Sequence, residues 1–232
     1  MRRRVSESGG RRTTAGMAAR LGGLGGILYA VLFIPAYIVG SPDSPNRTST
    51  DQGVFDYFAE GIGAFLFFNG WLPIFAFFFL LWFLGALHAV LRSAEGEVEG
   101  GWLSSAALVG GIVFATLSYA GVAVEIVHPA TLSRFEDFEP DPQLAFMTLA
   151  LASWLYHFCQ VGTSVLATAT SLLALRTGVL PTWMAYAGFV VALLALLHFL
   201  VPLLGALAGL LWIAVVSVLM LIGSVGPSPA RR

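Results

Sequence analysis

The sequence predicts an all-α, polytopic membrane bundle of six transmembrane helices with both termini cytoplasmic. Three observations carry that expectation. Six apolar stretches run at about 21–40, 64–91, 102–127, 144–175, 182–203 and 205–225. Each is long enough to cross a hydrocarbon core of ~30 Å at ~1.5 Å per residue. The 232-residue chain is 57% hydrophobic and only 11% charged, with mean hydropathy +0.83. A soluble domain carries about 25% charged residues, so this chain cannot cover a water-facing surface, whereas lipid removes that demand. Finally, the basic residues are sorted by side. There is no lysine among the 12 basic residues. Arg2, Arg3, Arg4, Arg11, Arg12, Arg20, Arg92, Arg176, Arg231 and Arg232 fall on one side of the spans, and only Arg47 and Arg134 on the other. The positive-inside rule assigns the arginine-rich side to the cytoplasm. The expected location is a cell membrane, crossed six times.

Residues 1–16, rich in Arg, Ser, Gly and Thr, read as a disordered cytoplasmic tail. Arg11-Arg12 ahead of an apolar run suggests a twin-arginine signal, but the run 21–40 exceeds an h-region of 7–15 residues and no small-x-small cleavage site follows. The first span is therefore expected to be retained, and Met17 is an alternative start. The membrane domain is expected over 17–226, followed by a cytoplasmic tail at 227–232. Gly22, Gly23, Gly25 and Gly26 crowd the first span, a pattern that favours close helix packing in lipid.

Between the first and second spans, Ser41-Pro-Asp-Ser-Pro-Asn-Arg-Thr48 is turn-rich. Asp51–Glu60 then reads as a short helix lying at the membrane surface. The second and fourth stretches exceed one span, so their helices project outward or break. Asn69-Gly70 and Pro73 mark the break or kink in the second. Leu91-Arg92 and Leu175-Arg176 end the second and fourth spans, each followed by a glycine-containing turn and then Trp102 or Trp183. This is either a weak internal repeat of two hairpins or the convergence that any cytoplasmic hairpin favours, with Arg at the helix end and Trp at the interface. Thr163, Ala167 and Ser171 form a small-residue stripe on the fourth span, and Gly205 and Gly209 a Gly-x-x-x-Gly on the sixth. Both read as contact faces within the chain. The lone Cys159 excludes an intrachain disulfide.

Chemistry is expected where polar groups enter the apolar spans. Counted from the cytoplasmic ends at ~1.5 Å per residue, Asn69 and Glu125 lie roughly 33 Å up, His157 roughly 27 Å and His198 roughly 22 Å. Four spans thus bring polar groups to the outer leaflet, with His128 and Gln160 beside them. The candidate polar cavity is Asn69, Glu125, His128, His157, Gln160 and His198. Glu125 and His128, at i and i+3, share a helix face and suit a metal or a proton path. Glu125, His128, His157 and His198 form a candidate mononuclear metal set, and His157 with His198 a candidate bis-histidine haem site. The alternative reading places Glu125 and His128 in water at the headgroups, with Pro129 ending the helix, and makes His157 and His198 core histidines. No phosphate loop, His-Glu-x-x-His, Cys-x-x-Cys or Gly-x-Ser-x-Gly is present. A retinal Schiff base is excluded by the lack of lysine, and nothing suggests nucleic acid.

Gly26-Ile-Leu-Tyr29, Leu91-Arg-Ser-Ala-Glu-Gly96, Leu175-Arg-Thr-Gly-Val-Leu-Pro181 and Leu211-Trp212 resemble an uncharacterised bacterial, actinobacterial-type group of six-helix integral membrane proteins, a domain-of-unknown-function family. The resemblance implies topology and no activity. The function expected is non-enzymatic, that of a small permease or an accessory membrane subunit without a cofactor. The alternatives are a redox or metal protein using the outer His and Glu groups with haem or a transition metal, and an outward-facing sensor. The bilayer is the expected partner, and a homo-oligomer or another membrane protein stays open.

Overall fold

The computed structural model describes residues 4–40, 49–59, 62–96, 100–139 and 141–225, and the side chains within them except at 4–15, 37–40, 55, 58 and 59. The turn-rich stretch 41–48 and the tail 227–232 lie outside the described residues. Among those described, the chain is helical without strands: α1 (Arg4–Gly40), α2 (Asp51–Ala59), α3 (Ile62–Leu66), a π-helical turn (Phe67–Trp71), α4 (Leu72–Glu95), α5 (Trp102–Arg134), α6 (Pro142–Thr177), α7 (Thr182–Leu196) and α8 (Pro202–Leu221). Among the described residues, five helical stretches are long and apolar enough to cross a membrane: Gly16–Ala36, Ile62–Glu95, Trp102–Arg134, Pro142–Thr177 and Pro202–Leu221.

The expected fifth span, 182–203, is shorter. α7 has 15 residues, about 22 Å at ~1.5 Å per residue. Pro202 opens α8 and holds Val201 out of helical geometry, at φ −134° and ψ 62°. The chain turns over Leu197–Val201, closed by Leu200 N–H to the Leu197 carbonyl at 2.8 Å. His198 therefore sits in a turn rather than on a helix. The tip of this hairpin is apolar, with Leu197, Phe199 and Leu200 exposed.

The helices run antiparallel in the order of the chain. Gly22 of α1 abuts Ala86 of α4 and Met220 of α8. This gathers the Arg20 end of α1, the Arg92 end of α4 and the C-terminal end of α8 at one end of the bundle. α5 and α6 cross where Gly110 and Gly162 meet. A Cβ on Gly162 would lie 2.5 Å from the Gly110 carbonyl and from Phe114 N. Gly188 of α7 abuts Ser171 of the α6 stripe. The small-residue runs are thus contacts within the chain, as helix packing in lipid requires.

The turns at the arginine end explain two motifs. Glu95, the last residue of α4, accepts from the backbone N–H groups of Leu103 and Ser104 at 2.9 and 3.0 Å. Its carboxylate thereby fills the open donors of α5's first turn. Arg92 donates to the Gly96 carbonyl at 3.1 Å. The second turn uses Gly178 in the left-handed region and Pro181 ahead of α7, with no carboxylate cap. The two hairpins share residue types and differ in how they are closed.

Long helices rise beyond one span at the far end. α5 and α6, with 33 and 36 residues, reach about 50 Å at ~1.5 Å per residue. Pro129 does not end α5; it lies inside the helix, which closes only at Phe135. Proline is tolerated there at the loss of the N–H that would reach the Glu125 carbonyl one turn earlier. The second long stretch does not break at Asn69-Gly70 either. It widens into the π-helical turn, with Pro73 opening α4. A wide turn lets one residue bulge without severing the helix, and such turns recur at functional sites. α2, held by Thr50 Oγ1 accepting from Gly53 N at 3.1 Å, packs across this end. Val54 is fully buried with Phe65 and Ala145, and Tyr57 lies edge-on to Phe65.

The bundle interior is close-packed at its arginine end, where Leu80, Leu87, Leu91, Leu103, Leu173, Met184, Ile213 and Met220 are fully buried, and an apolar groove of about 500 Å³ between α1 and α4 opens on the outer surface there. The outer surface of the helices is apolar, including Phe75, Phe78, Leu81 and Trp82 on α4 and Leu203, Leu204 and Leu211 on α8. That surface is what a lipid-facing bundle presents.

Candidate functional site

Toward the far end the packing opens into a cavity of about 480 Å³. Volumes of roughly 300–1,000 Å³ are usual for small-molecule sites. α1, the π-helical turn, α5, α6, the α7–α8 turn and α8 all contribute to its wall. Along α6 the wall runs from Leu149 to Thr163, about 21 Å at ~1.5 Å per residue. Tyr29, Phe33, Phe114 and Leu210 give its wall aromatic and apolar surface, and Ser118, Cys159 and Gln160 line it as well.

Five of the six residues singled out in the sequence line this one cavity: Asn69, Glu125, His157, Gln160 and His198. Asn69 reaches it from the π-helical turn and is 6% exposed. Glu125 is buried at 8% exposure, so it does not sit in headgroup water. It accepts a hydrogen bond at Oε2 from the Tyr156 hydroxyl at 3.0 Å. His157 and His198 meet with ring centroids 5.1 Å apart, and Trp154 and Phe199 pack on His157 at 5.6 and 5.5 Å. Gly205 makes room for His198, because a Cβ there would lie 2.9 Å from its Nδ1 and 2.9 Å from the Leu194 carbonyl. The non-helical turn carrying His198 is of the kind membranes tolerate where backbone is covered by protein or lines a cavity.

His128 is the exception. It is buried, but its ring packs edge-on to Phe138 at 5.8 Å and does not line the cavity. Three residues of helix advance the direction by ~300°, leaving His128 about 60° from Glu125. That angle is enough to carry it out of the opening. The four-residue metal set is therefore not assembled: among the described residues no three His, Cys, Asp or Glu side chains gather to hold an ion. The bis-histidine haem site is not built either. Axial imidazoles bind through nitrogens about 2 Å from the metal, which puts their centroids roughly 6 Å apart with a porphyrin between them. The His157 and His198 rings touch at 5.1 Å, edge to face, without such a gap.

Several wall groups were not singled out from the sequence. Tyr156, Ser118 and Cys159 all face the cavity. A tyrosine beside a histidine in the middle of an apolar span is a readable signal, since a buried hydroxyl needs a partner; Ser118 and Cys159 give none. Four polar atoms around the cavity are buried and have no hydrogen-bond partner among the described residues: His157 Nδ1, His198 Nδ1, Gln160 Oε1 and Thr163 Oγ1. The fold and the site define a class: a helical bundle with membrane-length apolar helices around a polar-lined cavity. No family model, curated protein or solved structure matches the chain.

Proposed function

We propose that this chain is a six-span protein of the cell membrane with both termini cytoplasmic, and that it works without catalysis, as a small permease or ligand-binding subunit whose ligand occupies the cavity. The observation that carries this reading is the contrast along the bundle axis. A close-packed interior at the arginine end gives way to a far end hollowed into a 480 Å³ chamber, with Asn69, Glu125, His157, Gln160 and His198 among the polar side chains that line it from three helical stretches and the α7–α8 turn. Six spans follow if α7 counts as a crossing, because α7 returns the chain to the end where α8 begins. The shortfall in length is met by local thinning of the bilayer, which brings the apolar tip of α7 to its outer boundary. The arginine count puts the close-packed end in the cytoplasm, which leaves the cavity in the outer half.

A ligand that binds only the folded state raises its stability by mass action. Small amphiphiles that fit the cavity should raise the melting temperature of the purified wild type and leave Ala206→Trp, which fills the wall, unchanged. If no amphiphile distinguishes the two proteins, the cavity is a packing feature and not a ligand site.

A further inference from the structure

Among the described residues, Glu125 is the only acidic side chain in the cavity wall and no arginine lines it. The chain has no lysine. Its carboxyl is held by the neutral Tyr156 hydroxyl and has no basic partner among the described residues around the cavity. A carboxylate in such surroundings is stabilised by a positive charge that arrives from elsewhere.

The other polar groups of the wall point the same way. Gln160 donates one amide N–H to the Cys159 sulfur at 3.5 Å and leaves its carbonyl oxygen buried and unpartnered. Each neutral imidazole of His157 and His198 offers one acceptor nitrogen. The Gln160 carbonyl and the imidazole acceptors are thus open to a ligand that supplies N–H groups. In the same wall Tyr29 and Phe33 stack at 5.3 Å and Phe114 adds a third ring. Such rings receive an apolar body and favour a nearby cation.

We infer that the cavity selects an amphipathic amine, its ammonium set against the Glu125 carboxylate and the Gln160 carbonyl and its apolar body lying among Tyr29, Phe33 and Phe114. This rests on the proposed ligand-binding role and names the class of ligand. The amine is either a free soluble amine or the amino headgroup of a lipid.

The probes share one body and differ in charge: 4-phenylbutylamine, 4-phenylbutanol and 4-phenylbutyrate. Binding is measured by equilibrium dialysis to wild type, Glu125→Gln and Ala206→Trp in nanodiscs of phosphatidylglycerol, which carries no amine. Glu125→Gln keeps an acceptor for Tyr156, and its folding is checked by size exclusion and melting. The amine should bind wild type at least ~10-fold more tightly than the alcohol, with the carboxylate weakest, and Glu125→Gln should bring amine and alcohol together. Amine and alcohol binding equally to wild type, both lost in Ala206→Trp, would overturn the charge selection and keep the cavity as a ligand site. Absence of Ala206→Trp-sensitive binding for every probe would overturn both. Competition by added phosphatidylethanolamine assigns the ammonium to a lipid headgroup, and indifference to it assigns a soluble amine.

Discussion

Glu95 and Glu125 are both acids in helices of this bundle, and their partners give them opposite roles. Glu95 spends both carboxylate oxygens on backbone N–H groups of α5, so its work is structural. Losing a cap of this kind costs about 1–2 kcal/mol. Glu95→Ala should lower the melting temperature of the purified protein, while Glu136→Ala, at an exposed position, should leave it unchanged; equal effects would remove the capping role. Glu125 has one oxygen on a hydroxyl and the rest of its surroundings open to a cavity. The levels of Asn69, Glu125, His157 and His198 were legible in the sequence, because a constant rise along a helix turns residue counts into depth. Direction was not legible. Depth alone cannot say that His128, one turn from Glu125, rotates away to Phe138. Nor can it say that Tyr156 rather than His128 becomes the neighbour of the Glu125 carboxyl, since that depends on which face of α6 meets α5.

At the scale of elements, the glycines separate packing from mere composition. Gly85 and Gly162 both lie inside long helices. A Cβ at Gly85 meets nothing within 4 Å, whereas one at Gly162 runs into the α5 backbone at 2.5 Å. Gly85→Ala should therefore be neutral or stabilise by up to about 1 kcal/mol through helix propensity. Gly162→Ala should cost about 1–3 kcal/mol as overpacking forces α5 and α6 apart. Thermal unfolding of the two variants side by side checks this, and equal behaviour would mean the crossing is not tight. The long apolar stretches gave the helices directly, since hydrophobic length is what a span requires. Their ends were harder to read. Pro129 looked like a stop, yet α5 continues to Arg134. Pro202 looked interior to an apolar run, yet it starts α8 after a turn. A proline removes one donor in either case; tertiary contact decides whether the helix survives the loss. Asn69-Gly70, expected as a break or kink, likewise lies in a π-helical turn, because the helix relieves its local misfit by widening.

At the scale of the whole molecule, the bundle is asymmetric along its axis, close-packed inside where Arg20, Arg92 and Arg176 gather and hollow at the other end. Reporter fusions after residues 45, 97, 136, 178 and 228 should read out, in, out, in and in, the pattern of six crossings with both termini cytoplasmic. An outward reading at 228 with an inward one at 97 would contradict the placement of the C-terminal end of α8 beside the Arg20 end of α1. The central claim is that the hollow end is a chamber reached from outside. Cys159 is the chain's single cysteine, so Cys159→Ser provides a clean background. In it, Ser118→Cys places a thiol in the cavity wall, and Ser104→Cys places one in the packed arginine end. A small, membrane-impermeant thiol reagent added outside sealed, right-side-out vesicles should modify the cysteine at 118 and spare the one at 104. Protection of both, or modification at 118 only from the inner face, would contradict an outward-facing ligand chamber.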